Sequence, residues 1–321
     1  MNKSIKGYNT LTKYQNKKCF YGIGIYNRKK VFYKEFESLS FLDKELNGYN
    51  KVKDFYNVPK LVGSYDNTIL YEYKKDIVCN TLYEYLYFNK KNIKANLILN
   101  QYKNSLLNIK KYNETKLCNY TFFAKRKDMI KDLLNIDDIE FKNILKDMLD
   151  NICKNKSLYS FISQGDPTDT NISTKGCFTD FENGGYNSIV GEISIFLVSL
   201  LTHGAYFYPK YNSKVYKIRE QYQVNKKISD KNINFILSYL NMIKSTVDKK
   251  VINEINKYLK YYICFRLLTP INIINMEEID KKLIINLVKD FYQVNTLDEL
   301  IDLINNWDTS YIDNFINNKL C

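Results

Sequence analysis

QGDPTDTN, residues 164–171, lies just past the middle of a 321-residue chain. Pro167 fixes its own backbone and offers no N–H, and Asp and Asn bond readily to nearby backbone, so the stretch is a loop rather than helix interior. It packs two carboxylates, Asp166 and Asp169, and one amide, Asn171, closely together. Just downstream, NIS (171–173) and CFTDF (177–181) read as a short strand pair turning at Thr174-Lys175-Gly176. A hairpin this short returns its second strand beside its first, which brings Asn171 near Asp180. Oxygen donors so placed suit a hard cation such as Mg2+, which keeps waters and shares its shell with phosphates. Asp166, just upstream, is available as a base toward an attacking hydroxyl.

Upstream, the first seventy-odd residues read as a small sheet carrying one helix. CFYGIGIYN and KKVFYKEF are rich in β-branched and aromatic residues and meet at Asn27-Arg28. SLSFLDKELNGYNKVKDFY places Leu39, Leu42 and Leu46 at helical spacing. After a break at Asn57-Val58-Pro59, KLVGSY and TILYEY are strands joined by Asp66-Asn67. From Tyr73 to about Leu149 the pattern is helical, interrupted near NETKLCN. Beyond the loop, helices are expected over Glu192–Leu201, Lys231–Lys244, Val251–Leu268, Glu277–Tyr292 and Leu297–Asn306. The plan is two lobes, residues 1–73 and 74–321, with the hairpin at their junction.

The Gly165-Asp166, Asn171, Asp180-Phe181-Glu182 series resembles the catalytic segment of the aminoglycoside phosphotransferase and choline kinase superfamily. The resemblance spans about Lys13 to Leu201. It implies an α+β, bilobal protein-kinase-like fold, with an antiparallel-sheet lobe and a larger helical lobe. It further implies Asp166 as catalytic base, Asn171 and Asp180 as Mg2+ ligands, and ATP or GTP as co-substrate. Lys34 matches the strand lysine that pairs with nucleotide phosphates, and Glu45 the helix glutamate that holds it; Lys30 and Glu37 are nearby rivals. Glu72 and Tyr73 fall at the hinge, where backbone groups hold the base. Glu192, opening a very apolar helix, matches an acidic residue that fixes the catalytic loop. Two features depart from the pattern. Gln164 replaces the histidine that often precedes Gly-Asp, and is able to take over its hydrogen bonds. The phosphate loop is loosely marked, at Tyr14–Lys18, while Gly22 and Gly24 read as strand glycines.

The implied activity is transfer of a γ-phosphoryl group to a hydroxyl of a small molecule: a sugar, a choline-like compound or an aminoglycoside-like acceptor. The alternative is a catalytically silent kinase-like module that binds nucleotide or a partner. The region after Leu201, GAYFYPKYNSKVYK, favours a neutral or anionic acceptor, or one cation held against aromatic faces.

The bulk numbers bound the remaining classes. The net charge is +13, but the lysines are scattered among acids, so composition bias and solvated helix faces account for it better than nucleic acid does. No nucleic-acid motif is present. Seven widely spaced cysteines without a CxxC exclude a zinc knuckle and a disulfide framework and fit a reducing, cytoplasmic setting. No signal peptide is visible and the most apolar run is too short to span a bilayer. The lone histidine, His203, has no catalytic partner nearby in sequence and reads as structural. KRKD, residues 125–128, reads as a solvated helix end rather than a phosphate contact, and Asp169 as a loop cap.

Overall fold

The computed structural model describes residues 8–15, 19–74, 81–82, 94–201 and 230–307. His203, the 204–217 stretch and most of the expected phosphate loop fall outside these residues.

The small lobe is a six-stranded antiparallel sheet built from β1 (Tyr8–Thr10), β2 (Tyr14–Gln15), β3 (Cys19–Tyr26), β4 (Lys29–Phe36), β5 (Leu61–Tyr65) and β6 (Thr68–Glu72). The order is β1-β3-β4-β6-β5, and β2 also pairs with β3. The β3–β4 hairpin turns on two residues, Asn27 and Arg28, both with positive φ, as the right-handed strand twist requires of so short a loop. Gly22 and Gly24 lie inside β3, crowded by Thr12 and Tyr8 of the chain that crosses them. They are strand glycines. On β4, Val31 and Tyr33 join a small outer cluster with Leu70, while Phe32 and Phe36 pack into the main core. Strand alternation therefore turns Lys34 to the inner face.

The helix α1 (Leu39–Val52) lies on that face. Leu42, Glu45, Tyr49 and Val52 recur at three- and four-residue spacing and are all buried. Gly48 shares the stripe. A Cβ there would stand 1.7 Å from the carbonyl oxygen of Phe181, so only glycine lets α1 approach the Asp-Phe-Glu segment this closely.

The larger lobe contains α2 (Ala95–Leu106), α3 (Tyr120–Asp132), α4 (Ile139–Asn151), α5 (Ile189–Val198), α6 (Asp230–Thr246), α7 (Lys249–Leu268), α8 (Glu278–Tyr292) and α9 (Leu297–Asn305). Every residue of α5 is buried. It is the axis of the lobe, packed chiefly against α7, with Phe196 stacked on Tyr239 of α6 at 4.0 Å. A helix apolar at nearly every position, Glu192 and Ser194 excepted, belongs in such a place.

One element differs from the sequence expectation. A second antiparallel sheet, β7 (Lys110–Asn113), β8 (Ser157–Ser163) and β9 (Gly185–Ser188), runs through the large lobe in the order β7-β8-β9. Its buried positions include Ser160, Ser163, Asn187 and Ser188, so no apolar alternation marks it. Hydrogen bonds satisfy those polar groups: Asn187 Nδ2 donates to Ser163 Oγ at 3.0 Å and to the Asn183 carbonyl at 2.9 Å. β8 ends at Ser163 and delivers the chain into the 164–171 loop.

Candidate active site

The loop is held open by its own backbone and by Gln164. Gly165 has φ +84°, and a Cβ there would meet the Asn183 carbonyl at 2.1 Å. Gln164 is fully buried. Its Nε2 donates to the Thr179 carbonyl at 2.8 Å and to the Asp180 carbonyl, while its Oε1 accepts the Asp166 N–H at 2.9 Å. One amide, with two donors and an acceptor, thus clamps the Asp166 turn to the segment carrying Asp180. These are hydrogen bonds of the kind the sequence reading expected Gln164 to make. Ile172 bridges Phe178, and Thr179 N–H donates to the Asn171 carbonyl at 2.9 Å, closing the expected hairpin.

Asp166 and Asn171 meet directly. Asn171 Nδ2 donates to the Asp166 carbonyl at 2.9 Å and lies 3.4 Å from Asp166 Oδ2. The other carboxylate oxygen, Oδ1, lies 3.6 Å from a terminal nitrogen of Arg266 on α7. The Asp166 side chain keeps 29% of its surface open while Arg266 keeps 3%. Burial pushes the Asp166 carboxyl up to about 6, with Arg266 opposing the shift and Asp180 and Glu182 adding to it. Arg266 escaped the sequence reading. Its signal was a lone charge within an apolar helical run, Tyr262–Leu268, of which every residue is buried.

Lys34 completes the site from the small lobe. Its Nζ lies 2.8 Å from Glu45 Oε1 and 2.6 Å from Asp180 Oδ1. The rivals are set aside, since Lys30 and Glu37 are both exposed. Burial acts to lower the Lys34 pKa, but the Asp180 and Glu45 carboxylates outweigh it and the net direction is upward. Lys34 is held as a cation. Glu45 is buried with three partners: Lys34, the Tyr71 hydroxyl at 3.1 Å, and the Phe181 N–H at 3.0 Å. Through it, α1 grips both the lysine strand and the Asp-Phe-Glu segment. Asp180 has φ +64°, a conformation costly for a side-chain-bearing residue and characteristic of constrained functional positions. With its backbone pinned, its carboxylate still has 41% of its surface exposed.

The remaining expected residues stand as follows. Glu72 closes β6, its N–H donating to the Lys60 carbonyl at 2.8 Å. Tyr73 follows it, with the Lys30 ammonium 6.0 Å from its ring. Asp169 is buried, and Ser199 beyond α5 donates to its Oδ1 at 3.2 Å, which is the loop-capping role expected of it. Glu192 is fully buried beneath the loop. Ser163 and the Gly165 N–H approach it, yet neither carboxyl oxygen gains a full hydrogen bond. Burial pushes its carboxyl up to about 8, so it is largely neutral at pH 7. KRKD departs from the solvated reading: Lys125 and Asp128 are exposed, but Arg126 is half-buried, with its guanidinium 3.7 Å from the centre of the Phe122 ring.

The donor set fits a hard cation in a limited sense. Among the described residues no cluster of three or more His, Cys, Asp or Glu forms a metal cage. Asn171 and Asp180 offer one amide and one partly exposed carboxylate, the sparse oxygen set that suits an ion sharing its shell with water and phosphate.

The fold has solved counterparts. Over 94% of this chain and 92% of the other, it superposes on choline kinase from Cryptosporidium parvum with a TM-score of 0.50 and 12% identity. The chain shares the fold of this choline kinase. The gentamicin complex of APH(2")-IIa gives a TM-score of 0.48 at 13% identity, covering 92% of this chain and 93% of that one. An ethanolamine kinase from Plasmodium vivax gives 0.45 at 13% identity, covering 94% and 82%. No family model matches the sequence, and no curated protein matches it. Among the described residues, no helix is long and apolar enough to cross a membrane.

Proposed function

We propose that this protein is a small-molecule kinase, transferring the γ-phosphoryl group of ATP or GTP to a hydroxyl. Residues 1–73 bind the nucleotide, and residues 74–321 carry the base and receive the acceptor. The observation that carries the reading is the Lys34 ammonium, held between Glu45 and Asp180 at 2.8 and 2.6 Å, on a network that also positions Asp166. A lysine fixed in this way is a preorganised positive charge for phosphate oxygens.

Each residue has a defined task. Lys34 binds phosphate oxygens, and Glu45 keeps it aimed. The backbone at Glu72 and Tyr73 holds the base. Asn171 and Asp180 would hold Mg2+, which supplies charge neutralisation on the phosphates when bound. Asp166 orients the acceptor hydroxyl and takes its proton. A bond forms between the acceptor oxygen and the γ-phosphorus. The bond from that phosphorus to the bridging oxygen breaks, and its electron pair leaves with the nucleoside diphosphate. Positioning and electrostatics supply most of the rate gain.

The test is nucleotide consumption over a panel of hydroxylated acceptors, preceded by a thermal-shift assay with Mg-ATP. The reading expects stabilisation and acceptor-dependent release of ADP. Stabilisation with no turnover on any acceptor would mark a silent nucleotide-binding module instead.

A further inference from the structure

Between the β7–β8 strands and the first half of α7 lies a cleft of about 390 Å³, a size within the range of small-molecule sites. Helical period builds one wall. Lys250, Glu254, Lys257 and Tyr258 recur on α7 at three- and four-residue spacing. Strand alternation builds the other. Lys111 of β7 stands opposite Tyr159 of β8, and Ser157 shares that face. The cleft is remote from Asp166. β8 runs from Ser157 to Ser163 before the 164–171 loop begins, about 20 Å of strand.

The charges in the cleft do not cancel. Glu254 is fixed by the Tyr159 N–H, which donates to its Oε1, and by Lys111, 3.4 Å from its Oε2. Among the described residues, Lys250 and Lys257 have no carboxylate within ion-pair distance. The acids on the adjoining segments are already engaged: Glu114 lies 3.7 Å from Lys156, Asp150 lies 3.2 Å from Lys154, and Asp248 caps the Val251 N–H at 2.9 Å. Three lysines against one glutamate leave a surplus of two positive charges in the lining. Two of the ammoniums rest near rings, Lys111 4.8 Å from the centre of Tyr159 and Lys257 5.1 Å from that of Tyr258. A ring face orients an ammonium without neutralising it.

A phosphate monoester carries about −1.5 to −2 charge at pH 7, which matches that surplus. Its oxygens accept from ammoniums, and the Ser157 hydroxyl and Asn253 amide add neutral donors at the same wall. Nucleic acid would need a longer basic track than one cleft supplies.

We propose that this cleft, through Lys111, Lys250 and Lys257, binds the phosphate group of a phosphorylated small molecule at a second site, separate from the one around Asp166. The proposal stands independently of the phosphotransferase reading.

The test is a titration of isotope-labelled protein with glycerol 3-phosphate, followed by the NMR shifts of backbone amides. Saturable shifts are expected at residues 157–159 and 250–258. Joint substitution Lys250→Gln and Lys257→Gln should weaken binding by about tenfold or more, the order of one charge-assisted hydrogen bond. Both lysines are exposed, so this variant should keep the wild-type melting temperature. Glu254→Gln keeps an acceptor for the Tyr159 N–H and removes the one carboxylate, so it should tighten binding several-fold. Lys34→Met should leave the shifts unchanged, which separates this cleft from the proposed nucleotide site. Glycerol and succinate, lacking a phosphate, should bind more weakly. Shifts confined to residues 164–180, an affinity indifferent to the two lysines, weaker binding in Glu254→Gln, or succinate binding as tightly as glycerol 3-phosphate overturns the proposal. Tighter binding of a single-stranded oligonucleotide, lost in the same double variant, overturns it in favour of nucleic acid.

Discussion

The two buried glutamates near the site solve the same problem in opposite ways. Glu45, on the small-lobe side, is surrounded by donors: an ammonium, a phenol and a backbone N–H. Glu192, under the large-lobe loop, is equally buried yet lacks a full hydrogen bond to either oxygen. Burial raises both carboxyls, but Lys34 pulls against the shift at Glu45 and no cation does so at Glu192. One glutamate holds a charge in place. The other fills space at the start of an apolar helix and is tolerated by becoming neutral. Buried acids in one site need not share a role, and their partners tell which is which.

The largest expected effect lies between them, at Asp166, the proposed base. Asp166→Asn should lower turnover by about 10²- to 10⁴-fold, the usual span for a positioned base, while nucleotide affinity changes little. Normal turnover of that variant would remove Asp166 from the chemistry.

On the small-lobe side, Glu45→Ala strands the Phe181 N–H and frees Lys34. It should cost about 1–3 kcal/mol in denaturant unfolding and weaken nucleotide binding at the same time. If stability falls while nucleotide affinity holds, Glu45 is only a core residue. Gly48→Ala forces a methyl into the Phe181 carbonyl and should cost a similar 1–3 kcal/mol as overpacking, unless α1 moves. A melting temperature equal to wild type would show that α1 and the Asp-Phe-Glu segment do not touch as described.

On the large-lobe side the effect is smaller and depends on pH. Glu192 has a folded pKa of about 8 against an ordinary 4.5. The unfolded chain releases this proton first, so stability from the neutral carboxyl is full below about pH 4.5 and declines as pH rises toward 8. Glu192→Gln, neutral at every pH, should gain on wild type in melting temperature across that window. A difference that stays constant from pH 5 to 9 would mean Glu192 is not held neutral.

The sequence was most legible where chemistry and local structure coincide. Asp166, Asn171 and Asp180 lie on one short loop and hairpin, so close spacing in sequence forces closeness in space. Lys34 and Glu45 were legible through the resemblance, which expects a lysine on this strand and a glutamate on the helix after it, and the structure then set aside Lys30 and Glu37. Arg266 lies 100 residues beyond Asp166, and only the packing of α7 on α5 brings it to that carboxylate. The β7–β8–β9 sheet was hidden for another reason. Its buried serines and Asn187 are satisfied by hydrogen bonds, a pattern that hydrophobic periodicity does not register.

The most direct measurement is calorimetric titration with ATP, with and without Mg2+, of wild type, Lys34→Met and Asp180→Asn. Wild type should bind ATP more tightly with Mg2+. Lys34→Met should lose affinity under both conditions, and Asp180→Asn should lose the Mg2+ dependence selectively. ATP binding that ignores both substitutions, or no binding by wild type, would contradict a phosphotransfer site built on these residues.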